Sequence, residues 1–199
     1  MNKVAKLLVM TMAVSAATAA VADGDRERGK CRHDDMIVAQ QVIKTSGITA
    51  DKAIDIAKKA YSGTVYQFGI DDDNNQLIYS VDLADATKGE IYEVEVDASN
   101  GNIIKESIKR NPNSRKSTKV FAAVEAIQKA GFTVKDVIAK VNPNNDLLVD
   151  EVDYDDKLGV SYFEVEAFGA SGKQKFLVDI NQKSVIPGYK TKGMRHHER

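Results

Sequence analysis

Three groups of residues in this chain have types and spacings with chemical meaning. Asp71, Asp73 and Asn75 stand as D-x-D-x-N, the opening of a calcium loop, with Asp82 at the twelfth position. The match then departs from that loop. Gln76 occupies the sixth position, where the sharp turn needs glycine, and the closing acid is Asp instead of Glu. In the later half of the chain Asp153, Asp155 and Asp156 offer a similar group, but Lys157 stands where Asn75 was. A polar hairpin turn accounts for the same residues without a metal. Glu93 with Glu95, and Glu164 with Glu166, are carboxylate pairs at i, i+2, the spacing of one strand face. Their neighbours in sequence are apolar, so a solvated outer face explains them better than acid–base chemistry. Cys31, His33, Asp34 and Asp35, with His196 and His197, are metal-ligand types, yet they lie in polar terminal segments with no core to position them.

Positioning is what an enzyme needs and this inventory lacks. All three histidines and the single cysteine fall outside residues 36–189, and the chain has no Trp. A Ser/His or Cys/His nucleophile would have to be assembled from the chain ends, against the need for fixed geometry. The sequence therefore predicts a non-enzymatic protein with no cofactor.

The ends carry an address. Lys3 and Lys6, the apolar run Leu7 to Ala13, and Ala20-Val21-Ala22 have the form of a secretory signal peptide over residues 1–22, with cleavage after Ala22. The apolar run is shorter than the roughly 20 residues a membrane span requires. Cleavage leaves 26 basic against 29 acidic residues, which makes no electrostatic case for nucleic acid. One cysteine in an exported chain forms no internal disulfide, a habit that fits a bacterial periplasmic or secreted protein.

Between the ends the chain repeats a pattern. Residues 23–35 read as a charged flexible arm. Met36, Ala39, Val42 and Ile43 predict a helix stopped by Gly47. Thr49 then caps a second, with Ala53, Ala57, Ala60 and Tyr61 as its buried stripe. From Gly63 the period falls to two. Tyr66, Phe68 and Ile70, then Leu77, Tyr79, Val81 and Leu83, then Tyr92, Val94 and Val96 mark strands, and Asp97 to Gly101 turns the chain into a last one, Asn102 to Ile108. After a polar linker, residues 110–116, the order recurs. Val120, Ala123, Val124 and Ile127 predict one helix, and Val134, Val137, Ile138 and Val141 a second, shortened by two residues. From Leu147 on, the strands repeat at a constant shift of 82 residues, Val94 meeting Phe176. The prediction is an α+β chain of two tandem repeats, residues 36–109 and 117–189. Each is a helix pair packed on one face of a four-stranded antiparallel meander, with its own core, and a basic tail follows at 190–199.

The stretches ITADKAIDIAKKAYSG (residues 48–63) and IYEVEVDASNGNIIKE (residues 91–106) resemble the PepSY family. The second half resembles it more loosely, keeping Gly131-Phe132-Thr133, Phe163-Glu164-Val165 and Val178-Asp179 but carrying Lys183 at the turn glycine's place. The doubled layout is similar to that of β-lactamase-inhibitor proteins. PepSY domains occur in propeptides of thermolysin-like metalloproteases, where they are associated with inhibition and folding, and in small exported proteins. The resemblance thus implies a binding or inhibitory module acting on an envelope protein, a protease among the candidates. It implies no catalytic residues. The partner surface expected from the residues is the pair of polar sheet faces, carrying Glu93, Glu95, Glu164 and Glu166. The alternative is an envelope sensor or carrier of a small ligand or metal ion, using Asp71, Asp73 and Asn75.

Overall fold

The computed structural model of the protein describes residues 33–109 and 114–186. The segment expected to be a signal peptide, almost all of the expected arm with Cys31, the middle of the expected linker, and the expected tail with His196 and His197 lie outside the described residues.

Local chemistry sets the helices close to where the sequence places them, α1 taking in the last three residues of the expected arm and α3 the last two of the expected linker. After α1 (His33–Ser46), Thr49 caps α2 (Ala50–Ala60) by accepting from the Lys52 amide. Ser114 does the same for α3 (Arg115–Ala130), which ends on Gly131 in the left-handed region at φ 56°. Thr133 and Asp136 form a reciprocal capping box at the start of α4 (Val134–Val141). In α2 the buried residues are Ala53, Ile54 and Ala57, whereas Ala60, assigned to the stripe from sequence, ends the helix exposed. Tyr61 leaves the helical path and stacks on Tyr92, ring centroids 4.6 Å apart.

The strands are β1 (Thr64–Asp73), β2 (Gln76–Asp85), β3 (Glu90–Asp97), β4 (Ile103–Lys109), β5 (Leu148–Lys157), β6 (Val160–Gly169), β7 (Gly172–Asp179) and β8 (Ser184–Val185). They do not form two sheets. One eight-stranded antiparallel sheet runs β4-β3-β2-β1-β5-β6-β7-β8, its two halves joined where β1 pairs with β5 through Gln67–Asp153, Phe68–Val152 and Gly69–Glu151. A single apolar cluster spans both halves, from Ile54, Tyr79 and Val94 to Phe163, Val165 and Ile180. The expected separate cores are thereby corrected: β1 and β5 are each apolar on one face and would otherwise be open edges, and pairing them satisfies both backbones at once.

The helices cross this seam as well. α2 packs on β2 and β3, but α3, from the later half, packs on β1 and β2 of the earlier one, and α4 on β1, β5 and β8. Gln128 of α3 donates to the Thr64 hydroxyl, and Lys135 of α4 pairs with Asp55 of α2 at 3.0 Å. Among the described residues no helix is long and apolar enough to cross a membrane.

The strand registers also correct the constant shift of 82. The inward pair Phe68–Val81 corresponds to Val152–Val165, an offset of 84 from 68 to 152, and the hairpin tips Asn74-Asn75 and Leu158-Gly159 stand at the same offset. The offset falls to 82 only at β3 and β7, because four residues connect β2 to β3 and two connect β6 to β7. A slip of two residues leaves every side chain on its original face, so the hydrophobic pattern cannot register it.

Candidate functional site

The register places polar side chains of seven strands side by side. One row runs Ser107, Glu93, Asp82, Gln67, Asp153, Glu164, Leu177 across β4, β3, β2, β1, β5, β6 and β7. A second, two residues along, runs Lys105, Glu95, Ser80, Gly69, Glu151, Glu166, Lys175. The four glutamates singled out from sequence thus belong to one face, brought together by the β1–β5 junction. That face is acidic at its centre and basic at its flanks. Glu93 pairs with Lys109, Glu95 with Lys105, Glu164 with Lys175 and Glu166 with Lys173. Ser107 also donates to Glu93 at 2.9 Å. The lysine hydrogen bond, with that of Ser107, holds the Glu93 carboxyl below its usual range against the opposing effect of burial. Half-buried and neutralised in this way, the four are the frame of the surface and not its free charge.

The central charge comes from Asp82, Glu151 and Asp153; the sequence singles out Asp153 only in the second calcium-like group and Glu151 not at all. Asp82 had been weighed only as the twelfth position of a calcium loop. Its Oδ1 is out of solvent and has no hydrogen-bond partner among the described residues. A β-bulge at Tyr66 breaks the parity that had put this side chain beside Phe68 and Ile70. The Tyr66 hydroxyl instead meets the Asp82 carboxylate, and burial, with that charge nearby, pushes the phenol's pKa up. Burial and then the charge of Glu93 push Asp82 up to about 6, against Lys109, Lys116 and Tyr66. Burial, with Glu151 next to it, pushes Asp153 up too. Asp150, the bulged residue of β5, rises to about 6 through burial, although Lys173 opposes the shift. Strand β5 reads VDEVDYDD over residues 149–156. An acidic run inside a strand-length segment, and not in a turn, was the available signal.

This rise in pKa fixes a pH dependence. A carboxyl whose folded value exceeds its unfolded one adds stability below the unfolded value near 4, and that stability is lost as pH climbs through about 6. Replacing Asp153 with Asn keeps the neutral form at every pH. Allowing for partial solvent screening, it should raise stability at pH 8 by about 1–3 kcal/mol and change little at pH 4. Urea midpoints at the two pH values measure this, and an equal effect at both would contradict it.

The acidic row is also not the open sheet face expected from sequence. A groove of about 800 Å³ runs along it, with Tyr66, Gln67, Asp153 and Glu164 on the strand side and Lys119, Ala122, Ala123 and Ala126 of α3 on the other. It extends to Asp155, Lys157 and Ser161 at the β5–β6 hairpin. At the calcium-like turn, Asp71 Oδ1 accepts from the Asp72 amide at 2.9 Å, and Asn74 and Asn75 take φ of 53° and 64°, a hairpin turn of the left-handed kind. Among the described residues no three His, Cys, Asp or Glu side chains are grouped to hold a metal ion. The groove offers carboxylates, a phenol and small apolar side chains. Ser161 donates to Asp156 at 2.9 Å at its far end, and with four carboxylates against Lys119 and Lys157 the lining is acidic on balance.

Among curated proteins none matches the chain. A candidate lipoprotein from Clostridium difficile 630 is 18% identical with a TM-score of 0.43, over 68% of this chain and 88% of that one. The YpmB protein from Bacillus subtilis is 20% identical with a TM-score of 0.26, over 68% of this chain and 92% of that one. Similarity this loose bears on neither site nor function. The family comparison is sharper, and it covers the α2–β4 segment built above. Residues 47–106 match the family model described as peptidase propeptide and YPEB domain, the PepSY family, whose domains are in general non-catalytic modules.

Proposed function

We propose that the protein is an exported, non-enzymatic module built from two PepSY-like units, residues 36–109 and 117–189, that binds and inhibits an envelope endopeptidase. The observation that carries this reading is the groove between α3 and the strands, where a row of carboxylates is backed by alanines and lies open along its length. The family description, peptidase propeptide and YPEB domain, supports a peptidase as the partner class. Lysines at both flanks of the acidic centre favour a partner that is basic where it meets the groove and acidic around it. Secretion rests on residues 1–22, which read as a cleaved signal peptide.

Titration of thermolysin with the full chain, followed by calorimetry and by peptide hydrolysis, tests the reading. The expected result is a one-to-one complex, loss of hydrolysis, and an affinity that weakens by about tenfold when salt rises from low to high concentration. Absence of any complex tighter than about millimolar would sink the proposal. The alternative, an ion carrier using Asp71, Asp73 and Asn75, meets no group of three His, Cys, Asp or Glu side chains among the described residues.

A further inference from the structure

The two halves build the corresponding hairpin with different residues. In the earlier half Asn74-Asn75 turns β1 into β2, both in the left-handed region. Asparagine is among the few non-glycine residues that take this conformation readily. In the later half Leu158-Gly159 turns β5 into β6, with φ of 55° and 77°. Glycine suits its place, but leucine is strained in this region, because its Cβ crowds the backbone carbonyl. Leu158 obtains no packing in return: it is 103% exposed, as bare as in an extended chain. A lone exposed apolar residue is ordinary. One that is also held in a disfavoured conformation gives the folded monomer nothing for either.

Its surroundings hold it still. β5 and β6 pair along their length up to Lys157–Val160, beside the tip. Tyr162 donates to Asp155 at 3.0 Å, Lys157 pairs with Asp155 at 2.6 Å, and Ser161 donates to Asp156 at 2.9 Å. Val160, the next residue beyond the turn, is also exposed. The carboxylate groove runs up to this same tip. An apolar side chain on a braced hairpin binds with little loss of its own freedom, as an anchor entering a pocket does.

We infer that Leu158 is the anchor of the partner surface, entering a leucine-sized apolar pocket of the endopeptidase while the groove holds the basic surface beside it. The inference rests on the function proposed above and adds the contact that sets specificity. Asp155, Asp156 and Asp153 around the tip argue against a membrane as the alternative host, since anionic lipid would repel them.

The test compares thermolysin inhibition by the full chain with inhibition by its Leu158→Asn and Leu158→Met variants. Asparagine suits the turn, so Leu158→Asn should melt about 2–4 °C higher than the wild type while inhibiting about 10- to 100-fold less well. Leu158→Met keeps an apolar side chain of similar length and should inhibit within about threefold of the wild type. Equal inhibition by Leu158→Asn and wild type would overturn the anchor and leave the groove reading standing. No inhibition by the wild type would overturn both. Binding of the wild type to phosphatidylglycerol vesicles that Leu158→Asn abolishes, without inhibition, would assign the tip to lipid and overturn the pocket.

Discussion

Replacing Phe68 with alanine should destabilise the protein by about 3–5 kcal/mol, and the two halves should weaken together. Phe68 is fully buried on β1, opposite Val81 of β2 on one side and Val152 of β5 on the other, with its ring 5.7 Å from that of Tyr79. It therefore packs at the seam, in the one cluster that also holds Phe163 and Val165. Truncation leaves a cavity bounded by β1, β2 and β5, and the surrounding side chains relax only partly into it. Since β1–β5 pairing and the packing of α3 and α4 cross the same seam, loss of order in one half removes the support of the other. Hydrogen exchange followed residue by residue checks this. Amides of β3 and of β7 should lose protection by a similar factor in the variant. Loss confined to β1–β4, with β6 and β7 unchanged, would mean that the halves fold separately.

The seam is also where sequence reasoning stopped. Within each half the strands were legible because their apolar residues alternate: Tyr79, Val81, Leu83, Val94 and Val96 all face the core as the pattern requires. The turn after β3 was legible too. Asp97, buried despite its charge, accepts from the Ser99 amide and hydroxyl, from Gln76 and from Asn100 at 2.6–2.7 Å. Burial pushes its carboxyl up, but these hydrogen bonds outweigh that and hold it below its usual value. Gly101 follows at φ 79°, where a Cβ would sit 3.2 Å from Ile48 and Ile56. All of this is local chemistry, written in DASNG.

The joining of β1 to β5 depends on three residue pairs some 84 positions apart, and no local signal announces such a pairing. The acidic character of β5 even pointed the other way, because charged strands commonly mark open edges. The same gap hid the site. Glu93, Glu95, Glu164 and Glu166 were visible as pairs on two faces. Their union into one surface, and the role of Asp82, Glu151 and Asp153 at its centre, exist only once the seam is closed. Tyr66 was misplaced for a different reason, since a bulge inserts one residue without altering composition or period elsewhere.

If that surface is the binding site, blocking its groove should abolish binding without touching the fold. Ala122 stands exposed on the groove wall in the middle of α3, a position where arginine is almost as good a helix former as alanine. An arginine there fills the channel and brings a guanidinium toward Asp153 and Glu164, which line the opposite side. Stability should change by no more than about 0.5 kcal/mol, as at other surface positions. A bulky cation in the centre of an interface both clashes with the partner and cancels the charge that recognises it, an effect of roughly 100-fold or more on affinity. The decisive measurement is the calorimetric titration of thermolysin with wild type and Ala122→Arg side by side, each shown to be folded by its melting curve. The predicted result is a stoichiometric complex for the wild type and none for the variant; equal binding by the two proteins would contradict the assignment of function to this groove.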